Sequence, residues 1–153
     1  MSIDMQLEGF SELEDALDQV SKAAGKGVLR RGLKKAAEPM AKLMRDKASE
    51  DQGDLRDSVA VSTKLSKRQA TAHRKMFRDD RASVEMFVGA GPLPQAHLSE
   101  FGSVHNAPAP FVRPAWDQDH RALLDRLGKD LWAELSKSIA RAERKAARIA
   151  AKG

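Results

Sequence analysis

A chain of 153 residues, 5% of them aromatic and 32% charged, is long enough for one hydrophobic core, but that core must rest on Leu, Val, Ala and Met. The lack of cysteine excludes a disulfide framework and a thiolate metal site, and no apolar run approaches the roughly 20 residues of a membrane span. The net charge of +5 sits wholly in residues 137–153, where Lys137, Arg141, Arg144, Lys145, Arg148 and Lys152 stand against one anion, Glu143, leaving a neutral body with a basic end.

In chain order, Ile3, Met5 and Leu7 alternate with polar residues and predict a half-buried strand that Gly9 breaks. Ser11 and Glu14 have capping-box spacing and open a helix through Leu13, Leu17 and Val20, expected to end near Gly25 and Gly27. A longer helix is expected over residues 28–49, with Leu29, Leu33, Ala36, Ala37, Met40, Met44 and Ala48 in one stripe and Pro39 kinking or dividing it. Alternation at Val59, Val61 and Thr63 gives a second strand. Residues 66–81 are dense in charge and read as a long excursion. Strand pattern resumes at Val84, Met86 and Val88 and breaks at Gly89-Ala90-Gly91-Pro92. A short helix over residues 95–101 should stop at Gly102, because glycine takes a positive φ at little steric cost. The last element is a long helix with apolar positions from Trp116 through His120, Leu123, Leu127, Leu131 and Leu135 to Ile139 and Ile149. It is expected to reach about 50 Å, its end leaving the body where apolar residues shrink to alanine. The pattern as a whole is α+β (mixed α/β): a small, mostly antiparallel sheet packed by helices, one domain over residues 1–136 and a basic helical extension over 137–153.

The most informative stretch joins Glu100, Phe101 and Gly102 to Pro108, Pro110, Phe111, Arg113, Pro114 and Trp116. The prolines fix φ and hold their predecessors extended, so this segment is expected to be a stiff arm with apolar anchors at Phe111 and Trp116. Arg113 adds a rigid fork of donors. Such an arm packs within the subunit or grips a neighbour. Earlier in the chain, Gly53, Leu55, Arg56 and Ser58 lie in a Gly-Asp-Leu-Arg-Asp-Ser-Val step from helix towards sheet. Glu100 is expected to pair with Arg113 or Arg56, since each is a charge inside a motif of apolar or turn residues.

Together, these two motifs resemble the signature of a phage morphogenesis family, the minor tail, tail-completion or head–tail joining proteins of long-tailed bacteriophages. Gln52 stands where the family has Thr, Val59 where it has Ile, and Ser103 where Thr is commoner. The resemblance spans roughly Leu7 to Leu135. It implies a structural virion protein of the head–tail junction, in a phage, a prophage or a phage-like gene-transfer particle, made in the host cytoplasm. It further implies a homo-oligomeric ring, commonly of six, that meets head connector or adaptor proteins and tail terminator or tail tube proteins around a DNA channel. Both motifs are then expected to lie at subunit interfaces.

The residues themselves point to no enzyme and no cofactor. His97 and Glu100 are spaced to share a helical face, but a third metal ligand, His105 or His120, is only a guess. Gly89-Ala90-Gly91-Pro92 lacks the Gly-Lys-Ser/Thr ending of a phosphate loop and reads as a hairpin exit. No nucleophile elbow is present, and no signal peptide is read in the first residues. The basic end is read in two ways: a solvated helix end whose cations complement the macrodipole, or a contact with channel DNA or an acidic partner. A small basic nucleic-acid-binding protein is therefore the alternative function. A metal-dependent hydrolase ranks third.

Overall fold

Two long helices pack antiparallel and carry a small sheet and a short helical corner. The structure, a computed structural model, describes residues 15, 20, 22–48, 53–78 and 84–153. The expected first strand and the Ser11 capping box lie outside the described residues. Helix α1 is Lys22–Lys47, α2 is Gly53–Ser58, β1 is Ala60–Ser62, α3 is Lys67–Met76, β2 is Phe87–Gly89, α4 is Gln95–Phe101 and α5 is Val112–Lys152. Helix α1 is the hub, touching α5 along its length as well as both strands. The strands pair antiparallel, with Ala60 opposite Gly89, Val61 opposite Val88 and Ser62 opposite Phe87. The α+β expectation holds, with helix predominating.

The core has two parts. Met40, Ala41, Met44 and Ala48 of α1 meet Leu55, Val59, Phe111 and Ala115; towards the other end of the pair, Val28 meets Leu131 and Leu135. Between them Gly32 lets the helices approach closely. A Cβ there would stand 2.5 Å from Leu131 Cδ2 and 3.3 Å from its Cα.

Several expectations change on the structure. Helix α1 runs straight through Gly25 and Gly27, where an earlier helix was expected to end. Each glycine weakens a helix by about 1 kcal/mol, and burial of Val28 against Leu131 and Leu135 outweighs that. Pro39 does not divide the helix, because residues on both sides of it pack on α5. Beside it, Arg126 donates to the Ala36 carbonyl from Nε at 3.2 Å and from Nη2 at 3.1 Å. This is the turn that proline crowds and from which it removes a donor. The charged excursion is largely a helix, α3, opened by a full capping box between Ser66 and Gln69 and burying no residue.

Helix α5 has 41 residues, about 60 Å at 1.5 Å per residue. Its buried face differs from the expected stripe at the N-terminal end, where Ala115 and Asp119 are buried while Trp116 is exposed and His120 half-buried. The small alanine permits close approach to the core, and Arg126 neutralises Asp119 through bonds of 2.9 and 2.6 Å. Residues 141–153 are all exposed, so the end of α5 runs clear of the packed body.

Candidate functional site

The arm motif folds into a corner between α4 and α5 that is held by one carboxylate. An α-helix begins with four N–H groups that have no partner inside the helix. In α5 these belong to Phe111, Val112, Arg113 and Pro114. Glu100 accepts the first two on Oε2, at 2.8 and 2.9 Å, and the third on Oε1 at 3.0 Å. Pro114 has no N–H to satisfy. The start of the longest helix is thus fully capped by a side chain eleven residues upstream of Phe111. Burial alone pushes the Glu100 carboxyl up; the N–H groups of Val112, Arg113 and Phe111, with the nearby Arg113 charge, more than reverse this and hold it below the ordinary value.

The loop between the two helices is shaped to deliver that cap. Gly102 ends α4 at φ 79°, a region only glycine enters freely, and a Cβ there would stand 2.9 Å from Pro108 Cδ and 3.0 Å from its nitrogen. Ser103 N–H donates to the Asn106 carbonyl at 2.9 Å, and its hydroxyl accepts from His105 and Asn106 N–H. Ala109 N–H returns to the Ser99 carbonyl at 2.8 Å. The segment is a folded-back loop rather than an extended arm, with Pro110 exposed and Pro114 half-buried in the first turn of α5.

Phe111 then enters the core, where it meets the other motif. Leu55 and Phe111 belong to one buried cluster, so sequence positions far apart share a packing site. Gly53 starts α2, Ser58 Oγ donates to the Leu55 carbonyl at 2.7 Å, and Gly91 N–H donates to the Ser58 carbonyl at 3.1 Å. The Gly89–Pro92 step is therefore the hairpin exit that the sequence indicated. Arg56 is exposed. Within the subunit the expected Glu100–arginine ion pair does not form: the carboxylate is taken up by main-chain donors, and Arg113 instead lies over the Phe101 ring, 5.2 Å from its centroid. Trp116 is not buried as an anchor. It is 45% exposed and stacks on His120.

The outside of this corner carries large apolar side chains among its polar ones. Leu98 and Phe101 share a face of α4; Phe101 touches Arg113; Trp116 follows one turn along α5. Phe101 is 63% and Val104 97% exposed. Beside the corner a cleft of about 410 Å³ opens between α1, β2 and α5, lined by Leu33, Met40, Met86, Val88 and Leu123 together with Arg113 and Trp116.

A family model described as bacteriophage HK97-gp10 tail-component matches residues 11–102. The chain belongs to this family. No curated protein and no solved structure matches it. In this phage tail component the match includes the Gly53–Ser58 step and ends on Gly102, so the loop and the whole of α5 lie beyond it.

Among the described residues no three His, Cys, Asp or Glu side chains converge, and no buried side-chain polar atom lacks a partner. Glu100 spends both oxygens on the helix, while His120 Nδ1 lies 2.8 Å from the Trp116 carbonyl. Two further buried carboxylates went unread in the sequence. Asp119 is bound to Arg126, whose guanidinium that contact holds above its usual pKa. Glu134 accepts from Arg31 across the helix pair at 2.8 Å and from Lys137 at 3.4 Å; the Arg31 bond chiefly holds its carboxyl below the ordinary range. The signal for Asp119 and Arg126 was present: two opposite charges seven apart, where the helical stripe is otherwise apolar.

Proposed function

We propose that this tail component is a structural virion protein of the head–tail junction, one subunit of a homo-oligomeric ring that joins the tail to the DNA-filled head. Six copies, and contacts with head connector or adaptor proteins and tail terminator or tube proteins, are the arrangement the family resemblance implies. The observation that carries the reading is the corner: Leu98, Phe101, Val104 and Trp116 present apolar surface on a scaffold fixed by Glu100 and Gly102. Apolar side chains displayed on so firmly held a corner serve contact with another molecule. A ring needs a head-to-tail contact between unlike patches, and the corner, continuous with its neighbouring cleft, supplies one of the two.

The nucleic-acid-binding alternative draws no support from the family. The experiment contrasts two kinds of substitution in the phage or prophage that carries the protein. Phe101→Ser with Trp116→Ser changes exposed residues, so stability should stay within about 1 kcal/mol of the parent while unattached heads and tails accumulate under the electron microscope. Phe111→Ala opens a core cavity and should cost about 3–5 kcal/mol, losing the protein itself. Normal titre from the Phe101/Trp116 variant would remove the corner from the joining surface.

A further inference from the structure

The projecting end of α5 carries a second surface whose chemistry is quite different. At 100° per residue, Lys137, Arg141, Arg144, Lys145, Arg148 and Lys152 fall within an arc of about 100° along about 22 Å of helix. All six are exposed. The one anion of the segment, Glu143, lies on the opposite side, as do Ile139 and Ala146, while Ala142 and Ile149 flank the stripe. Cations that complement the macrodipole belong in the last turn; Lys137, Arg141 and Arg144 lie two or more turns further back. Neighbours three and four apart along the stripe repel one another, which weakens the helix when it stands alone. Of the six, Lys137 reaches a carboxylate, Glu134 at 3.4 Å, and Arg144 Nε donates to the Ala140 carbonyl of its own helix.

We propose that this stripe is a binding surface for the phosphate backbone of double-stranded DNA. The stripe itself is built of cations, with one large aliphatic side chain, the exposed Ile149, at its border; a protein partner would normally be anchored by a cluster of aromatic or large aliphatic side chains. The stripe offers only charge and guanidinium forks, repeated along a straight rod, and these recognise phosphate wherever it lies. Recognition is independent of base sequence. A polyanion laid along the stripe also relieves its internal repulsion, so binding stiffens the end of α5. The inference does not depend on where in the particle the protein sits.

The test is a fluorescence-anisotropy titration of the purified full-length protein with a labelled duplex at several salt concentrations. Binding should be clear near 50 mM salt and should weaken by at least tenfold towards 150 mM, with a logarithmic slope of about −0.9 per phosphate engaged. Arg141→Gln, Arg144→Gln, Lys145→Gln and Arg148→Gln together should abolish binding at the lower salt and flatten the slope. Their positions are exposed and glutamine is a good helix former, so the fold stays intact, as circular dichroism will verify. Ala142→Gln with Ala146→Gln, off the stripe, should bind as the parent does. Helical content should rise on addition of DNA to the parent and not to the charge-cleared variant. Unchanged affinity in the charge-cleared variant overturns the proposal, and so does an absence of binding near 50 mM salt. Displacement of the duplex by polyglutamate at equal charge assigns the stripe to an acidic protein partner instead, which also overturns it.

Discussion

Glu100→Ala removes at one stroke the acceptor of three main-chain N–H groups. The Phe111 donor sits in a buried bond and those of Val112 and Arg113 in half-buried ones. With water reaching the Arg113 group, two donors remain orphaned at about 1–3 kcal/mol each, and the desolvation no longer imposed on the carboxylate offsets part of that. A net loss of about 3 kcal/mol is expected, a fall in Tm of roughly 6–12 °C for a chain of this length. Glu100→Gln keeps one carbonyl oxygen, enough for the two donors that share Oε2, but forfeits the charge at the helix start; about 1–2 kcal/mol should be lost. Because the folded-state pKa of Glu100 is depressed, the unfolded chain binds the proton more readily, so the contribution is complete above the ordinary carboxylate value of about 4.3 and is lost as pH falls through the lower folded value. Urea unfolding followed by circular dichroism should therefore show the gap between parent and Glu100→Gln narrowing as the solution is acidified. Alanine at 100 with parental stability at pH 7, or a gap that widens in acid, refutes the cap.

Further substitutions test the rest of the framework. Gly102→Ala meets both a positive φ and the Pro108 backbone, and should cost at least about 2 kcal/mol by thermal melt. Gly32→Leu fills the notch against Leu131 and should lower the urea midpoint sharply, whereas Gly25→Leu, with open space around it, should leave it unchanged or raise it. Arg126→Met strands the buried Asp119 carboxylate and should cost about 2–4 kcal/mol, of which Asp119→Leu in the same chain restores at least half; a double-mutant cycle with no coupling disproves that account.

Elements whose physics is local were legible in the sequence. The bounds of α4 and its stop at Gly102 were readable because one glycine settles the chain's direction, and the long last helix because its apolar positions recur at three and four. Helix α3 was missed because charge density suggested a solvated loop, although Ser66 and Gln69 stand at capping-box spacing. The helix faces were displaced by one residue at Gly32 and Ala115, because close approach selects small side chains while hydrophobicity ranks large ones, Leu33 and Trp116. The part played by Glu100 was hidden for another reason. Its partners are main-chain groups, which every residue carries, so no side chain in the sequence announces them.

The Arg126 fork has a mechanical consequence. Apolar stripes of Leu, Met and Ala look alike after every turn, so two helices joined by them alone can slip by about 5.4 Å at modest cost. Here a slip would pull the guanidinium off the Ala36 carbonyl, part Arg31 from Glu134 and drive Leu131 out of its notch, all in the same movement. The pair behaves as a keyed shaft. A load applied to the free end of α5 cannot be absorbed by sliding, and is passed along the rod to the α4–α5 corner and, through α1, to the sheet.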